Sequence, residues 1–483
     1  MGQPISLPTG SYSFPEPRAS VRRLVNCFAE AAPAISQDDS KNKDTPVILR
    51  RAPGITTWAT VGPGPIRGIW MMRGTMYVVS GTSLYSVNSQ GTAAFLGTGI
   101  GGGTGRVYMT DNAYCLVILV PNSYTAYTYV QATSTFAPIT DPNFLQFGAI
   151  NMGFIDSYIV FLALNGLEFY NSDSQVVSGV GPITFTAGTE FPREFGTDPF
   201  VGMIIDHRNI NMLGQLTSEV FIDTGNAVNS PFSSAPQNFM QLGCAAGATL
   251  GRQNQTICWL TNQKWVAYQA GITPVRISNH GIESILEYVT TTDAYCLTYS
   301  VGGHLFYALT FPTSKRTLVY DFLTQEWHEM SSYGLGYWRP NWIIDAYGYQ
   351  MVADSQSNQI GYLDMSVFTE FGGTQVASWI HQPIYAGHNR LHHRRLEIIM
   401  GTGNSPIVGQ GSNPLITLQI SDDGGNTWRA MPAKSLGLQG KRQARAVWYQ
   451  LGMSRERVYQ FVLSDPVESW VTDAQLDATT SRN

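Results

Sequence analysis

A hairpin-sized unit that recurs along most of the chain limits the possible folds more than any other feature. Each unit has a turn residue, an aromatic-rich strand, a short turn and a second strand. The seven units begin at Gly74, Asn112, Asp156, Arg208, Asn254, Gly303 and Tyr347, so successive starts lie 38 to 52 residues apart. Sheet repeats of about 40–50 residues are typical of β-propeller blades, which bury their faces by stacking around an axis. The repeat predicts an all-β chain with a propeller of six or seven blades, and a pair of β-sandwiches is the alternative.

The regions on either side of the repeat divide the chain into three predicted parts. These are an N-terminal arm with entry strands over residues 1–62, the β-propeller over 63–375 and a C-terminal β-sandwich-like domain over 376–483. The last part holds five strand-like runs, enough for a sandwich of roughly 100 residues.

Three local features complete the predicted organisation. We expect a short helix near Ser20 to Asn26, a loose polar stretch from Ala34 to Pro46, and an excursion between two blades over residues 175–200.

The five cysteines are scattered without metal-site spacing, so we expect buried, reduced thiols and assembly in a reducing cytoplasm. No run of eighteen apolar residues exists, and no membrane span is expected.

The charge of the chain is low and unevenly distributed. The formal net charge is −5, whereas proteins that grip nucleic acid usually carry a basic excess. An acidic wall repels DNA, which suits a conduit better than a binder. The segment from His381 to Arg457 carries +6, and the remainder therefore carries −11. We identify a candidate basic interface at Arg394, Arg395, Arg442 and Arg445; a solvated or internally paired face is the equal alternative.

The sharpest local motif is an Asp-box, SDDGGNTW. The motif predicts a β-hairpin turn, and its pattern residues are Ser421, Asp423, Gly425, Thr427 and Trp428. In such a turn the aspartate carboxylate accepts hydrogen bonds from backbone N–H groups, the glycine adopts a positive φ, and the tryptophan ring packs beneath the turn. Asp-boxes occur in sialidase-type propellers, so a glycan-degrading enzyme is a rival interpretation. However, no pair of acids stands out at a spacing that a glycosidase needs. We predict no catalytic, cofactor-binding or metal-binding residues.

Several stretches, in order along the chain, resemble the packaged-DNA stabilization proteins, also called tail hub or nozzle proteins, of short-tailed bacteriophages (podoviruses). VRRLVNCFAE from Val21 resembles the family's Arg-x-x-Asn-x-x-x-Glu opening, and LRRAPGITTW from Leu49 resembles its Thr-Pro-Gly-Leu element, with Ala52 in place of Thr. Further similar stretches are MLGQLTSEVFIDTGNAVNSPF from Met212, QLGCAAGAT from Gln241, TICWLTNQKW from Thr256, ISNHGIESIL from Ile277 and RAVWYQLGMSRERVYQFVLSDPV from Arg445.

This resemblance implies a structural virion protein of the phage tail. It implies a homohexameric hub or nozzle below the portal and its adaptor ring, which carries tail fibres or spikes and holds a needle or plug against the packaged DNA. The ring would retain DNA and form the channel for genome ejection, without sequence-specific binding. A receptor-binding tail protein is the other alternative function.

Overall fold

The computed structural model describes residues 3–14, 21–31, 47–174, 182–226, 230–271, 273–387 and 389–481. These residues form two helices, α1 (Pro142–Phe147) and α2 (His280–Tyr288), two 3-10 turns (Pro236–Asn238 and Gly247–Thr249) and otherwise β-strands. The predicted all-β class is confirmed. The helix predicted near residues 20–26 is wrong, because Val21–Val25 is a strand with neighbours on both sides. The polar stretch predicted from Ala34 to Pro46 lies outside the described residues.

Seven antiparallel sheets of four strands form the propeller. Blade one contains Ile66–Met72, Thr75–Ser80, Ser83–Val87 and Ala93–Thr98; blade two contains Tyr108–Asp111, Cys115–Leu119, Ala126–Val130 and Thr135–Pro138. Blade three contains Asn151–Ile155, Tyr158–Leu162, Glu168–Asn171 and Phe191–Pro192; blade four contains Phe200–Asp206, Asn209–Gly214, Ser218–Asp223 and Phe232–Ser234. Blade five contains Gly251–Gln253, Thr256–Leu260, Val266–Ala270 and Thr273–Arg276; blade six contains Tyr295–Val301, His304–Phe311, Arg316–Asp321 and Glu326–Glu329.

Blade seven closes the ring with strands from two distant parts of the chain. Pro340–Ala346, Tyr349–Asp354 and Gln359–Asp364 supply three strands, and the N-terminal strand Gly54–Thr60 pairs with the last of them as the fourth. The six or seven blades predicted from the repeat are therefore seven. Of the excursion predicted over residues 175–200, residues 175–181 lie outside the described part of the chain. Within the described part, Phe191–Pro192 does not lie between blades, because it pairs with Glu168–Asn171 as the fourth strand of blade three.

The predicted repeat starts coincide with the turn between the first and second strands of each blade. In six blades this turn has two consecutive residues with positive φ, as at Gly302 (60°) and Gly303 (89°). Such two-residue turns match the right-handed twist of the flanking strands. The hairpins are tight for this reason. Because each blade has one hairpin between its first and second strands, the distance in sequence between successive hairpins equals the length of one blade repeat.

The hydrophobic core of the propeller consists of layers between adjacent blades. In Cys115–Leu119, residues 115, 117 and 119 pack toward blade three, whereas Leu116 and Ile118 pack toward blade one. A central strand buried on both faces has no polar alternation, which explains its continuous apolar sequence.

The C-terminal region forms a β-sandwich together with the N-terminal strands. One sheet contains Gln3–Ile5, Cys27–Ala31, Val47–Arg51, Trp470–Ser481, Arg390–Met400 and Ala446–Ser454. The facing layer contains Tyr12–Ser13, Val21–Val25, Ala377–Ile380, Ile384–Tyr385, Glu456–Leu463, Leu415–Ser421, Arg429–Ala430 and Lys434–Ser435. The short strands Thr369–Glu370 and Gly373–Thr374 extend blade seven. The predicted propeller with an additional C-terminal sandwich is confirmed, while the boundaries at residues 62 and 375 stay predictions.

The two parts share one sheet. Val25 pairs in parallel with Glu329 of blade six, and Val21–Val25 also pairs with Ala377–Ile380 of the sandwich. The sheet of blade six thus continues into the sandwich. Among the described residues, no helix is long and apolar enough to cross a membrane.

Candidate functional site

Acidic side chains that a glycosidase could use are engaged in structural contacts. Glu219 is 1% exposed and accepts hydrogen bonds from Nε of Arg193 at 2.9 Å and from the backbone N–H groups of residues 194–196. Asp321 lies 2.7 Å from Nδ1 of His304, and both side chains are buried. Within the described residues, no group of three or more His, Cys, Asp or Glu side chains could hold a metal ion.

The Asp-box residues form a hairpin turn in the sandwich. The Ser421 hydroxyl donates to Oδ1 of Asp423 at 2.6 Å, and Thr427 donates its N–H (2.9 Å) and its hydroxyl (2.6 Å) to the same carboxylate. These hydrogen bonds lower the pKa of Asp423 well below its ordinary value. Gly425 has a φ of 97°, and the Trp428 ring lies beside it. The motif fixes the turn between the strands Leu415–Ser421 and Arg429–Ala430 of the sandwich.

A buried arginine ties this turn to the neighbouring strands. Arg457 is 1% exposed and donates from Nε and Nη2 to the two oxygens of Asp422 at 2.6 and 2.9 Å, while Nη1 donates to the carbonyl of Leu451. The bidentate geometry explains how a cation is tolerated in this core. In the sequence, Arg457 stands out only as one of the cations that give the segment from His381 to Arg457 its charge of +6.

The four arginines of the candidate basic interface divide into two pairs. Arg395 and Arg445 both bind Glu397, the latter through Nε at 2.6 Å and Nη2 at 2.8 Å. Arg394 and Arg442 are exposed and form no ion pair with the described residues. Arg395, Arg445 and their shared Glu397 keep a net charge of +1, whereas Arg394 and Arg442 offer both of their charges to a partner. The interface itself stays a prediction.

The first stretch that resembles the phage family clamps the propeller to the sandwich. Arg23 donates from Nε and Nη2 to Glu329 of blade six at 2.7 and 2.8 Å. Asn26 donates to the carbonyls of Ser331 and Val376 and accepts the N–H of Ser331. The Arg and Asn of the motif therefore have a structural explanation, because each bridges two parts of the fold.

The second resembling stretch supplies a fully buried cation at the same junction. Arg51 is 1% exposed and donates to the backbone carbonyls of Phe368, Gln375, Asp465 and Val467. Burial lowers the pKa of Arg51 to about 10. One guanidinium thus holds together the end of blade seven and the last loop of the sandwich.

A third resembling stretch, Ile277 to Leu286, contains α2 and receives the N-terminal strand. Asn279 caps the helix by accepting the N–H of Ile282 at 2.9 Å. Gly281 lies against the ring of Tyr12, where an added Cβ would approach within 2.9 Å. The glycine at position 281 permits this close approach.

Two cavities lie along the propeller axis. A pocket of about 660 Å3 is lined by linkers and strand ends from all seven blades, including Arg67, Arg106, Asp293, Tyr295 and Asn341. A smaller cavity of about 150 Å3 shares Arg106 with it and continues toward Cys296 and Trp342. All five cysteines of the chain are buried and unpaired, and burial raises the pKa of Cys296 to about 12.

Comparison with protein families identified two matching models that together span most of the chain. The model described as "Bacteriophage P22 Gp10, beta-propeller" matches residues 36–368. The model described as "Bacteriophage P22 Gp10, beta-sandwich" matches residues 353–479. The order and nature of the two models agree with the two parts of the fold.

Solved structures similar to this chain are distant propellers. Virginiamycin B lyase from Staphylococcus aureus is 9% identical with a TM-score of 0.42, and the match covers 62% of this chain and 94% of that one. The propeller domain of Cps50 (Swd1) from Myceliophteria thermophila is 6% identical with a TM-score of 0.42, covering 64% and 99%. No match was found among curated protein sequences.

Proposed function

Because the chain belongs to the family of bacteriophage P22 Gp10, whose members are phage structural proteins that stabilise packaged DNA, we propose that it is a subunit of a phage tail hub. In this proposal, copies of the chain close into a hexameric ring below the portal and its adaptor. The ring retains the packaged DNA and forms the nozzle through which the genome leaves. The observation that supports the proposal most directly is the match of both family models across residues 36–479.

The rigid shape of the subunit suits a ring. Identical copies close a ring through a heterologous interface repeated by rotation, and a subunit that bends would lose that closure. The shared sheet and the buried Arg51 make the propeller and the sandwich one stiff body. A stiff subunit presents the same two surfaces to its neighbours in every copy.

The channel for DNA in this proposal lies between subunits, not along a propeller axis. The deeper axial cavity of about 150 Å3 has room for about five waters at roughly 30 Å3 each. A DNA duplex, whose major groove alone is about 12 Å wide, cannot pass there. A channel wall formed by a chain with a net charge of −5 would hold DNA weakly and favour rapid exit.

The partners follow from the place of the ring. The portal-adaptor ring would bind above it, tail fibres or spikes at its side, and a needle or plug below. We place the protein in the virion tail after assembly in the host cytoplasm. The exposed Arg394 and Arg442 are the residues that we assign to a contact with an adjacent ring or protomer.

The experiment that tests the proposal is quantitative mass spectrometry of gradient-purified, DNA-filled particles and of the soluble lysate. With the portal protein as internal standard, we expect about six copies of the chain per particle. Absence from particles, with the chain left soluble, would overturn the tail proposal. A copy number far from six would overturn the hexamer alone.

A further inference from the structure

The larger axial pocket has the size and composition of a ligand site. Its volume of about 660 Å3 falls within the roughly 300–1,000 Å3 typical of ligand pockets. The lining combines tyrosine rings, backbone of the glycine-rich linker before blade two, and a few polar side chains. The contacts of Arg23, Asn26 and Arg51 that join propeller and sandwich lie outside this pocket.

An uncompensated cation lies in the pocket wall. Arg106 packs against two aromatic rings, with Cζ 4.5 Å from the Tyr295 centroid and 4.2 Å from the Trp342 centroid. Its Nε is buried without a hydrogen-bond partner, and the side chain forms no ion pair or hydrogen bond with the described residues. The stacking fixes the plane of the guanidinium, so its donors are preorganised for a planar oxyanion.

Arg106, which is half-buried, differs in this respect from the buried arginines Arg51, Arg67 and Arg457. Arg457 binds a carboxylate through two hydrogen bonds, and Arg51 donates to four backbone carbonyls. Arg67, which also lines the pocket, donates to the carbonyls of Gly81 and Gly105. Arg106 alone among these four is left with its donors free.

Two buried acceptors in the same wall also lack partners. Oδ1 of Asn341 is unpaired, because the amide nitrogen donates to the carbonyl of Ile66 at 2.7 Å and fixes the orientation. Oδ1 of Asp293 is unpaired as well, while Oδ2 accepts the N–H of Thr313 at 2.7 Å. Buried polar groups in folded proteins are paired with protein, water or a ligand, so three such groups in one pocket wall can bind the polar groups of a ligand.

We propose that the axial pocket binds an acidic peptide, whose carboxylate pairs with Arg106 and whose backbone N–H groups donate to Asn341 and Asp293. A peptide carries both the anion and the donors that the wall requires. Inorganic phosphate or a nucleic-acid backbone supplies the anion but not the two N–H groups, and Asp293 would repel a second negative charge. A free acidic amino acid also offers a carboxylate and N–H donors, so the test must distinguish it from an acidic residue within an extended peptide.

The test uses the full chain and ligand-observed saturation-transfer NMR with defined probes. The blocked tripeptide acetyl-Gly-Glu-Gly-amide is compared with its Gln counterpart, free glutamate and inorganic phosphate. We expect the Glu tripeptide to bind at least about tenfold more tightly than the Gln tripeptide, because a charge-assisted hydrogen-bonded pair is lost. Tighter binding of free glutamate than of the tripeptide would assign the pocket to a free amino acid and overturn the peptide proposal.

Two variants locate the binding. Arg106→Gln should weaken the Glu tripeptide at least about tenfold, whereas Arg73→Gln is a matched control, since Arg73 also stacks on an aromatic ring, Tyr114, but lies outside the pocket. Gln356→Trp keeps Arg106 and fills the pocket mouth, so it tests the site even where Arg106→Gln unfolds the chain. Three results would overturn the proposal. These are unchanged binding of the Glu tripeptide by Gln356→Trp, binding of inorganic phosphate as tight as that of the Glu tripeptide, and no binding of the Glu tripeptide by the wild type.

Discussion

Glu370 is a buried carboxyl group at the edge of blade seven, and it makes the stability of this junction depend on pH. Its strand pairs in parallel with the N-terminal strand at Ile55. The side chain is 3% exposed and Oε1 has no hydrogen-bond partner among the described residues. Burial raises the pKa of Glu370 to about 7, although Ser332 and Arg339 oppose the shift.

The expected size of the effect follows from that pKa. Because the pKa of Glu370 in the folded protein is raised above its ordinary value of 4.5, the folded state binds a proton that the unfolded state releases. The stabilisation is complete below about pH 4.5 and is lost as the pH rises through 7. Raising the pKa of Glu370 from 4.5 to about 7 corresponds to about 3–4 kcal/mol, at roughly 1.4 kcal/mol per pKa unit.

Replacing Glu370 by Gln removes the titration while preserving the shape. The difference in unfolding free energy between Glu370→Gln and the wild type should be about 2–3 kcal/mol more favourable at pH 8.5 than at pH 5. The pH-independent cost of the substitution cancels in this comparison. Urea unfolding followed by tryptophan fluorescence at the two pH values measures it.

Glu287→Gln provides the matched control, because Glu287 lies exposed on α2. Its unfolding free energy relative to wild type should change by less than about 0.5 kcal/mol between the two pH values, as for most surface substitutions. A pH-dependent difference for Glu370→Gln no larger than that of the control would refute the assignment of a buried, protonated carboxyl group.

Three further predictions concern cations and backbone conformation. Arg457→Leu should lower the unfolding free energy by about 1–3 kcal/mol in urea titrations, because the carbonyl of Leu451 loses its buried donor while the exposed Asp422 stays hydrated. Gly303→Val should cost about 1–2 kcal/mol in the same assay, since its φ of 89° is unfavourable for a β-branched residue. Arg394→Glu combined with Arg442→Glu should abolish docking to the adjacent ring in sedimentation assays while the melting temperature stays unchanged; unchanged docking would exclude this contact.

The sequence predicts the propeller because its blades leave a local signature. Two-residue turns such as Gly302–Gly303 need positive φ, and the double-faced burial of strands such as Cys115–Leu119 needs unbroken apolar runs. Both signals are contained within a few residues. The turn of the Asp-box is local for the same reason, because the hydrogen bonds of Asp423 with Ser421 and Thr427 span only four residues.

The closure of the ring and the axial pocket depend on contacts between distant residues. Gly54–Thr60 joins blade seven through Gln359–Asp364, about 300 residues later, and no local pattern distinguishes a closing strand from an entry strand. Val21–Val25 was predicted as a helix because its neighbours in the sheet come from elsewhere in the chain. Arg106 follows a glycine run that is typical of a flexible turn, and only the fold brings Tyr295 and Trp342 to its two faces.

The junction between propeller and sandwich restricts how the proposed ring could open. A hinge there would separate Val25 from Glu329 and part Arg51 from the carbonyls of one side, either Phe368 and Gln375 or Asp465 and Val467. Leaving one buried cation unpaired costs several kcal/mol, in addition to roughly 1 kcal/mol for each hydrogen bond broken. In the proposed hexamer this free-energy cost would arise in all six subunits at once. Release of DNA in this proposal therefore depends on departure of the plug or on sliding between subunits, each of which moves as one body.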